Sequence, residues 1–230
     1  MMTGCLIIHG YTGGPYEVEP LVDYLHEHTN WDIEVPTLPG HGETLALGDI
    51  THDKWLQAAE DALRNLKEKY TKVYLIGFSM GGMIAAYLAA KFKVDKLVLL
   101  APAGKVLSLK QLSLDVGEVI TDGIKGNLQD NLNYQRYRKK IGKIPLRSNL
   151  EFLKLMKYTR EYLKDIESPV FIAQGIQDGI VPASTASYLD KEITTAPQKE
   201  VVLFEKSGHL ICWGEDKDTL NGMIHDFLLE

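Results

Sequence analysis

Short apolar runs alternate with longer stretches of helical period along most of the 230 residues, and that alternation constrains the fold more than any other feature. Cys5-Leu6-Ile7-Ile8-His9 is a continuous apolar run closed by Gly10, as expected of a strand covered on both faces. Asp32 to Val35 alternates and stops at Pro36, and Lys72–Gly77, Lys96–Leu100, Pro169–Ala173 and Glu200–Phe204 complete six expected strands. Between them, Tyr16–His28 sets Val18, Leu21, Val22 and Leu25 on one stripe, and His52–Lys69 repeats Trp55, Ala58, Ala59, Ala62, Leu63 and Leu66 at three and four. Met80–Phe92 reads as a helix of small residues, and Ser184–Glu192 and Lys217–Leu229 as the last two helices. Right-handed crossovers then give an α/β fold with a mostly parallel six-stranded sheet, order 2-1-3-4-5-6, flanked by helices. The order reverses between strands one and three, and open sheets of this kind bind ligands at the strands' carboxyl ends beside the reversal.

The alternation stops between strands four and five. Gly104–Asp165 holds no strand-like run, reads as several helices, and carries 13 Lys and Arg against 7 Asp and Glu. The rest of the chain carries 12 against 24, and a shift of sign marks an inserted unit. The expected organisation is a core over 1–103 and 166–230 interrupted by a helical insertion over 104–165. That insertion either presents a solvated basic face or forms a cap over a site at the sheet's edge.

Composition removes several function classes. The net charge of −6 argues against a nucleic-acid binder of the usual basic kind. No apolar run approaches the roughly 18 residues of a membrane span. The opening MMTGCLIIHG has neither the charged region nor the cleavage site of a signal peptide. Cys5 and Cys212 cannot make a disulfide framework and have no metal spacing, and no pair of histidines has zinc spacing. A cytoplasmic protein with free thiols, no metal and no cofactor is the expectation.

Gly77-Phe78-Ser79-Met80-Gly81 is a G-x-S-x-G pattern between an expected strand and an expected helix. Composition alone would produce the pattern roughly 0.06 times in such a chain. A turn tight enough to lift the serine clear of the sheet needs small residues two before and two after it. A Walker phosphate loop would need a lysine that GFSMGG lacks. His9-Gly10-Tyr11-Thr12-Gly13-Gly14 likewise follows a strand, where the Tyr11 amide can converge with that of Met80 on an oxyanion. His9, at the strand end, is expected to be structural.

A serine hydroxyl needs a base and an orienting acid to attack a carbonyl. Asp178 follows the fifth strand and His209 the sixth, so the order Ser79, Asp178, His209 is that of a hydrolase with a nucleophile elbow. Asp165 and Asp190 compete for the role of the acid. His41 is expected to structure its loop, and His26, His28, His52 and His225 to lie on helix surfaces; Cys212 and Trp213 are candidates for the site's rim, with Cys212 expected instead to be a small inert apolar residue. Tyr134, Tyr137, Phe152, Tyr158 and Tyr162 of the insertion are candidates for an acyl tunnel or for the insertion's own core.

By HGYTGG, PGHG (Pro39–Gly42), GFSMGG, QDGIVP (Gln177–Pro182) and SGH (Ser207–His209), which span nearly the whole chain, the sequence resembles the α/β-hydrolase superfamily. Within that superfamily it looks like the small bacterial carboxylesterases and monoacylglycerol lipases with a short cap. The first strand begins within a few residues of Met1, so the antiparallel strands that usually precede it are missing from the pattern. The resemblance implies hydrolysis of small-molecule carboxylic esters with an apolar acyl chain. Thioester, amide or C–C cleavage by the same three residues, or a ligand-binding receptor on the same scaffold, are the alternatives.

Overall fold

The computed structural model describes residues 3–105, 135, 140 and 142–230. Strands β1 (Thr3–Ile8), β2 (Asp32–Glu34), β3 (Lys72–Phe78), β4 (Lys96–Leu100), β5 (Val170–Gly175) and β6 (Lys199–Phe204) form one sheet in the order β2-β1-β3-β4-β5-β6. Every adjacent pair is parallel, so every connection must recross the sheet. Helices α1 (Glu19–His28), α2 (His52–Lys69), α3 (Met80–Lys91), α4 (Leu146–Arg160), α5 (Ser184–Glu192) and α6 (Lys217–Leu229) lie in those connections or follow the last strand.

Alternation along the strands divides the core in two. Leu6 and Ile8, Val73 and Leu75, Leu97 and Leu99, and Val170 and Ile172 pack with the apolar stripes of α2, α3, α4 and α5. Cys5 and Ile7, Tyr74 and Ile76, Val98 and Leu100, and Phe171 and Ala173 pack with α1 and α6. Both faces of the central strands are therefore buried, which is why they read as unbroken apolar runs. β6 is an edge strand, and Val201 and Leu203 on its outer face are exposed.

The helical stripe expected over Tyr16–His28 is broken. A 3-10 turn covers Pro15–Glu17, Val18 interrupts it, and α1 starts at Glu19. Pro20 is the cause: it has no amide hydrogen and is tolerated only in a helix's first turn. Most of the expected insertion, including Tyr134 and Tyr137, lies outside the described residues. Its described end, α4, is not set apart from the core: Phe152, Leu155 and Met156 are buried in the same cluster as α2 and α3.

Candidate active site

Ser79 joins β3 to α3 with φ +54°, ψ −115°, a backbone conformation that a residue with a side chain rarely adopts. The turn is held by its neighbours. The Ser79 amide donates to Leu100 O at the end of β4, and the Ser79 carbonyl accepts from Gly82 and Ala103. A Cβ on Gly77 would lie 2.3 Å from Gly81 O, and one on Gly81 would lie 2.2 Å from Ile8 O at the end of β1. Both positions therefore need glycine for close approach, and the second presses the elbow against the loop that carries Tyr11.

His209 and Asp178 sit in the loops after β6 and β5 and reach Ser79 in one line. Ser79 Oγ is 3.0 Å from His209 Nε2, and His209 Nδ1 is 2.8 Å from Asp178 Oδ2. An ionised carboxylate only accepts, so it holds the imidazole proton on Nδ1 and leaves the Nε2 lone pair to the serine hydroxyl. Asp178 is itself saturated. Oδ1 accepts from the Ile180 and Val181 amides, each at 2.8 Å, and Oδ2 also accepts from Gln174 Nε2 at 2.8 Å.

Burial pushes the Asp178 carboxyl up, but the charge and hydrogen bond of His209 and the two amides outweigh it, so it titrates below its ordinary range. Burial lowers His209, yet the Asp178 charge and hydrogen bond, with Glu17 behind them, leave it above its ordinary value. Asp165 and Asp190 lie elsewhere. Asp165 lines a cleft of about 940 Å³ with Lys67, Tyr70, Lys93 and Asp95, at the amino ends of β3 and β4, opposite Ser79. Asp190 is paired with Lys199 at 2.9 Å.

Tyr11 lies in the turn after β1, and Met80 is the first residue of α3. Neither amide donates a hydrogen bond among the described residues. His9 is buried beside them. Its Nδ1 donates to Gly10 O and its Nε2 accepts from the Leu38 amide, so the ring is neutral. Burial, with His41 nearby, lowers it to about 3. His41 donates through Nδ1 to Pro39 O, its Nε2 has no partner among the described residues, and burial lowers it to about 4.

Cys212 is fully buried, its thiol pushed up to about 12 by burial and then by Glu17. Trp213 is half-exposed and donates to Tyr16 O, tying the loop after β6 to the Pro15–Glu17 turn. Phe152 packs 4.9 Å from the Tyr11 ring, while Tyr158 and Tyr162 pack instead against Tyr87 of α3.

Two residues at the site carried no sequence signal. Glu17, 2 % exposed, accepts the Gly10 amide at 2.8 Å and adds negative charge behind His209. Gln174, the next-to-last residue of β5, braces Asp178. The one set of possible metal ligands among the described residues is His52, Asp53 and Glu151, remote in sequence and brought together by α2 and α4. Glu151 already accepts from His52 of α2 at 2.7 Å and from Lys154 of its own helix at 2.6 Å, so its carboxylate is engaged by a tie between helices and an ion pair within one.

Residues 6–152 match the family model of the alpha/beta hydrolase fold. The thermostable monoacylglycerol lipase of Bacillus sp. (strain H-257) is 26% identical over 224 residues, 94% of this chain and 86% of that protein. The carboxylesterase of Bacillus subtilis (strain 168) is 24% identical over 238 residues, covering 97% and 91%. A structure from the metagenome-derived lipolytic enzymes LipS and LipT is alike in fold, with TM-score 0.80 at 20% identity over 98% of this chain and 93% of that one. With its parallel sheet and the serine turn at the head of α3, this chain belongs to the alpha/beta hydrolase fold family.

Proposed function

We propose that the chain is a serine ester hydrolase acting through an acyl-enzyme. The reading rests on one observation: a serine, an imidazole and a carboxylate in line at 3.0 and 2.8 Å, at the carboxyl ends of β3, β5 and β6. Ser79 Oγ attacks the ester carbonyl while His209 Nε2 takes its proton. The carbonyl oxygen becomes an oxyanion facing the Tyr11 and Met80 amides, at the positive end of α3. Asp178 keeps the Nδ1 proton in place and stabilises the imidazolium. Collapse breaks the C–O bond, and His209 returns the proton to the departing alcohol. Water, deprotonated by the same nitrogen, then cleaves the acyl-Ser79 ester to free acid and serine.

The substrate class is carboxylic esters with an apolar acyl chain, monoacylglycerols included. The names of the two Bacillus relatives support it, and the side chains packed around the Tyr11 ring, Trp55 and Phe152, are apolar. Each methylene buried there is worth about 0.8 kcal/mol, so a few change kcat/KM by one or two decades if the transition state keeps the contact. A fluorophosphonate should label the peptide containing Ser79 once, and p-nitrophenyl esters should show kcat/KM rising with acyl length and then falling. Thioester, anilide and β-diketone analogues run beside them assign the bond cleaved. Labelling elsewhere, or full ester turnover in Ser79→Ala, overturns the reading.

A further inference from the structure

Lys140 lies in the segment that interrupts the sheet alternation, yet its ammonium is buried against the loops at the sheet's carboxyl edge. It donates to Thr12 O at 2.9 Å, to Gly42 O at 2.7 Å and to the Tyr16 hydroxyl at 2.6 Å. A lysine ammonium has three protons, and here each meets an acceptor. Taking such a charge out of water is costly unless its protons are bonded. One bond falls on the Tyr11–Gly14 turn, one on the loop joined to it through the Gly42 amide and Gly13 O at 2.9 Å, and one on Tyr16 of the turn that follows.

The Tyr11 amide is thereby bracketed. On one side the Gly10 amide is held by Glu17, and on the other the Thr12 carbonyl is held by Lys140. Thr12 has φ +60°, a conformation that its side chain disfavours and that the surroundings must enforce. A second tie from the same interrupting segment reaches Tyr11 itself, whose hydroxyl donates to Asn149 Oδ1 of α4 at 2.9 Å. We propose that Lys140 is a positioning residue for the oxyanion hole: by fixing the Thr12 carbonyl it aims the Tyr11 N–H at the developing oxyanion. Lys140 is then part of the catalytic geometry, with Asn149 as the supporting tie. This rests on the ester-hydrolase reading above.

The test is Lys140→Met, with kcat expressed per active site titrated by fluorophosphonate. The expected result is a fall in kcat of about ten- to a hundredfold, the cost of a small misplacement, with KM held within about threefold. The Ki of a trifluoromethyl ketone, whose adduct needs the oxyanion donors, should rise by the factor that kcat/KM loses. Lys140→Arg keeps a charged donor on a long stem and should recover part of the kcat that Lys140→Met loses. Lys157→Met, an exposed lysine on α4, should match the parent.

A folded Lys140→Met with the parent's kcat per titrated site overturns the proposal, as does a loss confined to thermal stability or to the fraction of active sites. If Lys140→Met does not fold, Asn149→Ser carries the test by removing only the acceptor of the Tyr11 hydroxyl. The parent's kcat and ketone Ki in that variant would then overturn it. A parent that neither hydrolyses esters nor labels at Ser79 refutes the functional reading instead, before any variant is made.

Discussion

Asp178→Asn replaces one carboxylate oxygen by an amide group, and the surroundings decide which. Placing the new NH₂ at the Oδ1 position would set it against the Ile180 and Val181 amides, both donors at 2.8 Å. Two donors left without acceptors cost about 1–3 kcal/mol each. Placing it at Oδ2 opposes Gln174 Nε2 alone among the short contacts, and turning the Gln174 amide over gives up only the longer bonds of Nε2 to Val181 O at 3.3 Å and Gly175 O at 3.4 Å. The second arrangement wins. The new NH₂ then donates to His209 Nδ1, the ring proton moves to Nε2, and Nε2 can no longer accept from Ser79. The expected loss in kcat is three to four orders of magnitude, about 4–5.5 kcal/mol of barrier, with the melting temperature nearly unchanged. Steady-state hydrolysis of p-nitrophenyl butyrate measures kcat, and the rate of fluorophosphonate labelling should fall in parallel. A folded Asp178→Asn that keeps kcat within tenfold of the parent would refute the reasoning, above all if Asp165→Asn or Asp190→Asn loses it.

Glu17→Gln keeps an acceptor for the Gly10 amide and removes the charge that helps raise His209. The imidazole must be neutral to take the serine proton, so the acid limb of kcat/KM against pH should move to lower pH; an unmoved or raised limb contradicts the assignment. His9 and His41, lowered to about 3 and about 4 in the fold, take up protons in the unfolded chain first. Stability should therefore fall as pH drops from about 6.5 towards 5, by at most about 1.4 kcal/mol per pH unit for each ring. His209 has the opposite sign, being raised, and its contribution is lost only above that window. Urea midpoints across pH 5–6.5 measure this slope, and His41→Asn should reduce it. A flat profile would mean that the two rings are not held neutral.

The strands, their order and the turn at Ser79 were legible because each is written locally, as apolar runs, glycine spacing and the lengths between them. The meeting of Ser79, Asp178 and His209 was legible for a related reason: each follows a strand, and parallel strands bring their carboxyl ends to one edge. Glu17, Lys140, Asn149 and Gln174 were not. Each is a polar residue whose partner is fixed by the tertiary packing. The break at Val18 was available in principle, since Pro20 was in plain sight, but the apolar stripe continues through it and masked the proline's effect. The charge that marks α4 as part of an inserted segment is silent on its packing against α2 and α3 through Phe152, Leu155 and Met156, because net charge reports a helix's outer face and not the face it buries.

The strand order also sets a calendar for synthesis. A nascent chain folds from its amino end as it emerges, and the first four strands are contiguous in the finished sheet, β2-β1-β3-β4. A ribosome that has released the chain through Leu100 has therefore delivered one unbroken block, with the Ser79 turn able to bond to the end of β4. β5 and β6 can then join the same free edge one after the other, with no strand to be threaded between others. Asp178 arrives with the first addition and His209 only after the second. Until the last strand is laid down, the hydroxyl is displayed without the imidazole that hydrogen-bonds to it.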